Sequence, residues 1–304
     1  MNRRRFLLVT ACAALPARAW AAPQEWRGRA MGADVTLRLR DASPTQARSF
    51  FGEAARVLAH VESLFSLHRD SDLTRLNRDG RLRFPAPGMI ELLTLSGWLH
   101  EATGGAFDPT VQPLWVVRAR GEDETTARTL VGWDAVRWSR TEVRLTRPGM
   151  ALTFNGLAQG WAADRLAGAA VRHDLTDLLI DTGEIRALGT RRWPVTLADT
   201  AGAAYRRIRL CDRAVATSSP AGTLIGPRRL PHILAPGGGG VLWDTISVSA
   251  ATAAMADGLS TALCLMQPDA ACGALRRLPG CRIELAVPAQ DAEFSGKMPA
   301  TCHA

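Results

Sequence analysis

The sequence predicts a mixed α/β fold, nearer to α+β than to a doubly wound parallel sheet. Runs with strand and helix periodicity follow one another along the 304 residues without a regular βαβ rhythm. Neither a Walker loop nor a G-x-G-x-x-G fingerprint is present, so the nucleotide folds that carry them lose support. No repeat at a solenoid period and no low-complexity linker divides the chain, and residues 23–304 are expected to form a single domain. An apolar share of 47% beside a charged share of 22% is ordinary for a globular chain able to bury a core.

Residues 1–22 read as a twin-arginine export signal. Arg3-Arg4-Arg5 leads into Phe6-Leu7-Leu8-Val9, an RRxFL pattern, and Ala17-Arg18-Ala19 resembles a cleavage site. Cleavage near Ala19 or Ala21 would leave a periplasmic protein; lipoprotein anchoring at Cys12 is the weaker alternative. No later stretch is long and apolar enough to span a bilayer. The net charge of +8 raises the question of nucleic acid, but Lys297 is the only lysine and the arginines are scattered. No basic stripe interleaved with aromatics and no nucleic-acid motif is present, which leaves an anionic small molecule. Cys211, Cys264, Cys272, Cys281 and Cys302 follow the signal, and one or two bridges near the C-terminus would suit an oxidising compartment. Their spacing does not give the pairing, and no Cys/His metal spacing occurs.

In chain order, Trp26–Leu39 reads as a first strand with Met31-Gly32 before its alternating part. Ser43–Leu64 has helical period, with Ser43 as cap, Pro44 at the first position and Gln46 at capping-box spacing. The polar run that includes His68 reads as a cleft loop before a short helix capped by Ser71. Gly88–Thr103 reads as a helix ended by Gly104-Gly105. Proline holds the preceding Asp108 extended, which sets a carboxylate and the Ala106-Phe107 pair beside the glycines, a place to grip a flat ligand. Val131–Leu152 reads as strand, turn at Arg147-Pro148-Gly149, strand. Asn155-Gly156-Leu157-Ala158-Gln159-Gly160 reads as a turn into a helix whose amides would attract phosphate. Leu178–Leu188 is an apolar strand broken at Gly183-Glu184, and Ala214–Ser219 a strand ending in hydroxyls. His232 stands before the Gly237–Gly240 loop. Ile246–Met266 begins as a strand and becomes a helix of small residues that carries Asp257 and Thr261. Four residues apart on a helix stacks a carboxylate and a hydroxyl on one face, two hard oxygens of the kind Mg²⁺ takes. A capping Asp and a Thr bonded back to a carbonyl would explain the same pair without a ligand.

Eight pieces in order, MGADVTL, SLFSLHRDSDLTRLN, TGGAFDPTV, NGLAQGWAAD, IDTGEIRALG, AVATSS, HILAP and ADGLSTAL, resemble the ApbE family of FAD:protein FMN transferases from about Met31 to Met266. The resemblance implies a fold with FAD in a cleft between two lobes. It implies Mg²⁺ on Asp257, Thr261 and the carbonyl of Ala158, and FAD against Met31, Ala106, Phe107, Asp108 and Asn155. His232 would be the base for a partner's threonine or serine hydroxyl, to which FMN is attached through a phosphoester as AMP leaves. Three positions depart from the family pattern: Gln159 for lysine, His68 for tyrosine beside the flavin, and Ala235 for aspartate after the histidine. The implied partner is a periplasmic or membrane-attached flavoprotein. A protein that binds or hydrolyses FAD with little transfer is the alternative, and a purely structural subunit is disfavoured by the intact Asp257/Thr261 pair.

Overall fold

The computed structural model describes residues 23–199 and 202–290. The expected export signal with Arg3-Arg4-Arg5 and Cys12, and Lys297 and Cys302 at the other end, lie outside them. The chain starts with a hairpin, β1 (Gln24–Ala30) against β2 (Ala33–Leu39), where one strand was expected. Met31 and Gly32 both take positive φ, 50° and 76°, the geometry of a two-residue hairpin turn.

Helix α1 (Pro44–Phe65) begins at the expected box: the Gln46 amide donates to Ser43 Oγ, and the Ser43 amide to the Gln46 side chain. Phe50, Ala54, Leu58 and Val61 recur at helical spacing on its buried face. Helix α2 (Asp72–Asp79) is capped by Ser71 as expected. β3 (Arg81–Arg83) and α3 (Pro87–Ala102) follow, and Gly104 and Gly105 take φ of 59° and 86° just beyond α3. Next come α4 (Gln112–Arg120) and α5 (Thr125–Thr129).

The expected hairpin over residues 131–152 is displaced. β4 (Val136–Trp138) and β5 (Glu142–Leu145) pair around Ser139, not around Arg147-Pro148-Gly149. Ser139 Oγ accepts from the amides of Thr141 and Glu142 and closes the turn early. Beyond it, Leu152 bonds by both backbone groups to the side chain of Asn77, at 2.7 and 2.8 Å, so the second predicted strand does not form.

α6 (Ala158–Arg172) precedes a run of strands: β6 (Leu178–Asp181), β7 (Ile185–Leu188), β8 (Trp193–Ala198), β9 (Ala204–Leu210), β10 (Ala214–Ser218), and the short β11 (Leu224–Ile225) and β12 (Leu230–Pro231). β13 (Trp243–Ala250), α7 (Ala253–Leu263), α8 (Pro268–Arg277) and β14 (Arg282–Pro288) complete it. Seven strands form one antiparallel sheet in the order β1-β2-β6-β7-β10-β13-β14. The break at Gly183-Glu184 is the β6–β7 turn.

Alternate residues of β6 enter two cores. Leu178 and Ile180 join the helical side with Phe50, Trp161 and Leu259, whereas Leu179 packs with Trp193, Val195 and Leu210 of the β8–β9 ribbon on the other face. Burial on both faces explains why the strand reads as a continuous apolar run. Cys272 is disulfide-bonded, whereas Cys211 and Cys281 remain thiols, and burial pushes Cys281 up to about 11. No described helix is long and apolar enough to cross a membrane.

Candidate active site

Helices α6 and α7 cross at backbone distance. A Cβ on Gly160 would lie 2.4 Å from Ala253 O, so only glycine fits there. Each helix caps the other. Gly160 N–H donates to Asp257 Oδ2 at 3.2 Å, and Asp164 accepts from the Ala253 and Ala254 amides at 2.8 and 2.9 Å. Burial raises Asp164 above the usual carboxylate value, opposed by those two amides. The ligand-free reading of Asp257 as a cap therefore holds in part, although the helix it caps is not its own.

This crossing occupies part of the turn at the start of α6 that was expected to attract phosphate. The Leu157 and Ala158 amides donate to Phe154 O, Trp161 to Leu157 O, and Gly160 to Asp257. Those donors are already used within the protein, and a carboxylate sits at the positive end of the helix.

Above the crossing lies a cleft of about 150 Å³. Asp257 and Thr261 both line it. Thr261 Oγ1 is 3.3 Å from Ser218 Oγ, which lies 2.7 Å from Ser260 Oγ. Gly156 faces Thr261 so closely that a Cβ there would meet Oγ1 at 2.9 Å. Asn155 and Gln159 line the cleft as well; the Gln159 side chain lies against Gly183, whose φ is 97°. The Thr182 hydroxyl donates to Gln159 O at 2.9 Å and ties the start of α6 to the β6–β7 turn.

Ala106, Phe107 and Asp108 form one wall. Phe107 lies on Gly258 of α7, and its carbonyl is 3.0 Å from His100 Nδ1. Asp108 Oδ1 accepts from the Thr110 amide and hydroxyl at 2.8 and 2.6 Å, while burial raises its carboxyl. His232 lines the cleft as well. Its Nδ1 is 2.8 Å from Pro220 O and 3.1 Å from Thr223 O. Carbonyls only accept, so Nδ1 carries the proton and Nε2 is the basic nitrogen.

Met31, His68 and Ala158 do not line this cleft. Met31 is held in the β1–β2 turn, its amide donating to Glu62 at 2.9 Å. His68 lies in the turn after α1, its amide on Ser66 Oγ at 3.2 Å. Ala158 is buried in the first turn of α6, between the lining residues Gly156 and Gln159 in the chain. Glu184, Thr217 and Ser219 line the cleft without having been singled out. The broken strand and the terminal hydroxyls were the signals for them, and Glu184 Oε2 accepts from the Thr217 amide at 3.1 Å. Trp115 and Leu265 gave no sequence signal.

A larger groove of about 690 Å³ between α1 and α6 contains Arg56, Arg165 and Arg172. Arg172 is paired with Glu53 and Arg165 with Glu91, and no hydroxyl or carboxylate pair converges there as in the smaller cleft. The small cleft has the opposite character. Asp108, Glu184 and Asp257 line it, and no arginine or lysine does among the described residues.

An antiparallel sheet with helices on one face and a carboxylate- and hydroxyl-lined cleft at a helix crossing defines an α+β protein with a polar ligand site. The ApbE family profile matches residues 31–283, and the chain belongs to the ApbE family. The FAD:protein FMN transferase of Treponema pallidum (strain Nichols) is 25% identical over 271 residues, which cover 75% of this chain and 74% of that protein. The fold matches the apo form of the Pseudomonas stutzeri flavinyl transferase ApbE with a TM-score of 0.75 at 23% identity, over 86% of this chain and 90% of that one. The flavin transferase ApbE of Vibrio cholerae matches with a TM-score of 0.73 at 20% identity, over 88% and 97%.

Proposed function

We propose that this protein is an exported, Mg²⁺-dependent FAD:protein FMN transferase. The family membership and the name of the Treponema relative support the activity. The charge of the cleft carries the chemistry: three carboxylates and no lining arginine or lysine would repel a pyrophosphate unless a divalent cation entered with it. Asp257 and Thr261 offer two hard oxygens on one helical face of that cleft, a donor set suited to Mg²⁺, and these two would hold it. When bound, Mg²⁺ would neutralise charge on the two phosphates and stabilise the departing AMP.

The chain's own groups do the rest. Phe107 and Asp108 offer a flat apolar surface and a carboxylate to the isoalloxazine end. His232 Nε2 accepts the proton of the acceptor hydroxyl as its oxygen bonds to the FMN phosphorus. The bond from that phosphorus to the bridging oxygen breaks, and AMP takes the electron pair. The Nδ1–H bonds to Pro220 and Thr223 keep the basic nitrogen on the other side of the ring. The acceptor is a serine or threonine of a periplasmic or membrane-attached flavoprotein, reached after twin-arginine export.

Incubation with FAD, Mg²⁺ and a flavoprotein domain carrying D-x-x-[ST]-G-A-[ST] tests this. The acceptor should gain the mass of one FMN. Gln159 and Ala235, in place of the family's charged residues, favour a second reading in which FAD is split without transfer. AMP and free FMN with an unlabelled acceptor would select it, and absence of FAD binding would end both. Asp257→Asn keeps an oxygen for the Gly160 amide but removes the charge. Turnover should fall about a hundredfold or more with an unchanged melting temperature. Retained Mg²⁺-dependent turnover in that variant would refute the metal assignment.

A further inference from the structure

The outer face of the small β3–β5–β4 sheet is built almost entirely of arginine. Arg81 pairs with Arg144 in register, and Arg144 with Arg137, so three guanidinium side chains stand in one cross-strand row. All three are exposed, and Arg83 lies one pair further along. Like charges directly opposite each other weaken a sheet. Glu142 is the single carboxylate on the face, and it is drawn below its usual range by Arg81, Arg144 and Arg83. The acids at the margins already have partners, Asp134 with Arg147 and Asp79 with Arg78.

An exposed aromatic stands at the rim. Phe84 follows Arg83 directly, is 79% exposed, and is the most exposed large apolar residue described. Its φ is 49°, in the left-handed region that bulky residues avoid. It also precedes Pro85, which disfavours helical backbone at the preceding residue. A sheet bond from the Phe84 amide to Thr141 O at 2.8 Å holds it there. The opposite face is ordinary core, with Leu82, Val136 and Val143 buried.

We propose that this face docks on an anionic phospholipid surface. Such a surface requires no shaped pocket. It requires cations on a flat face and an apolar side chain able to enter the headgroup layer. Four arginines against one glutamate supply the first, and the ring of Phe84 the second. Docking would hold the enzyme beside membrane-attached substrates, but the inference stands on this face alone and survives failure of the transferase reading.

Co-sedimentation of the full chain with vesicles tests it. Binding is expected to phosphatidylcholine vesicles containing phosphatidylglycerol, to disappear at high salt, and to be absent with pure phosphatidylcholine. Each basic group at an anionic surface is worth roughly a five-fold gain, so Arg81→Gln/Arg137→Gln/Arg144→Gln should bind about a hundredfold more weakly. Phe84→Gly relieves the positive φ, so it should melt higher while binding vesicles less. FAD turnover in both variants should equal that of the parent, which confirms that they fold. Equal binding to pure phosphatidylcholine, no binding to the anionic vesicles, or an undiminished triple variant would each overturn the proposal. Salt-sensitive binding to an acidic flavoprotein domain without any binding to vesicles would do so as well, and would assign the face to a protein.

Discussion

At the α6–α7 crossing, two carboxylates are largely buried; Asp257 accepts one backbone amide of the other helix and Asp164 accepts two. On the β3–β5–β4 sheet, three arginines face one another in water with one glutamate among them. The first arrangement turns charge into geometry. Asp164 and Asp257 stand four residues beyond the amides at Gly160 and Ala253, so one contact repeats in both directions across the pair. The second leaves net positive charge on the surface, since one Glu142 serves both Arg81 and Arg144. Buried charge is therefore expected to govern stability and catalysis, whereas the exposed row governs association.

Gly160→Ala should break this contrast most. Its new Cβ would collide with the Ala253 carbonyl, separate the helices and cost about 3 kcal/mol, read as a lower urea midpoint together with lost turnover. Asp164→Asn should cost about 1–2 kcal/mol, because one amide oxygen replaces two carboxylate oxygens at the start of α7. That gap has a pH dependence. Burial raises Asp164 above 3.8, so the folded protein binds this proton more readily than the unfolded chain. Its contribution is then full below the unfolded value and declines as pH rises through the folded one. Urea midpoints of parent and variant should converge across that window. Arg144→Thr should have the smallest effect, a gain of about 0.5 kcal/mol or less, since it removes an opposed like charge and only an exposed pair with Glu142. A loss larger than that would show that the row supports the sheet.

The capping box at Ser43 and the cap at Ser71 were legible because donor and acceptor lie three residues apart; the reciprocal bond from Ser71 to Thr74 was not read. The Gly104-Gly105 stop and the β6–β7 break were legible for the same reason. The hairpin over residues 131–152 was misplaced because Pro-Gly outweighed Ser139 in the reading, and because the group that satisfies Leu152 belongs to Asn77, 75 residues earlier. The β8–β9 ribbon was missed: its worth lies in covering Leu179 and Val215, which no local pattern reveals. In the cleft, Asp257, Thr261, Asp108, Asn155 and His232 were found as separate motifs, and the structure brings them to one cavity. Met31 and His68 were motifs of the same kind, yet a hairpin turn and a serine-bonded loop place them elsewhere.

By itself the sequence determined the helix starts, the glycine stops, the alternating strands and the stacking of Asp257 on Thr261, because each depends on groups within about four residues of one another. Only the tertiary structure decided that Asp257 caps α6 across 97 residues, that Asp164 returns the bond across 89, and that the Gly160 amide at the start of α6 meets a carboxylate of the protein itself. Those bonds exist only where two helices pack close enough for a glycine alone to fit between them, and that distance is set by the core around them.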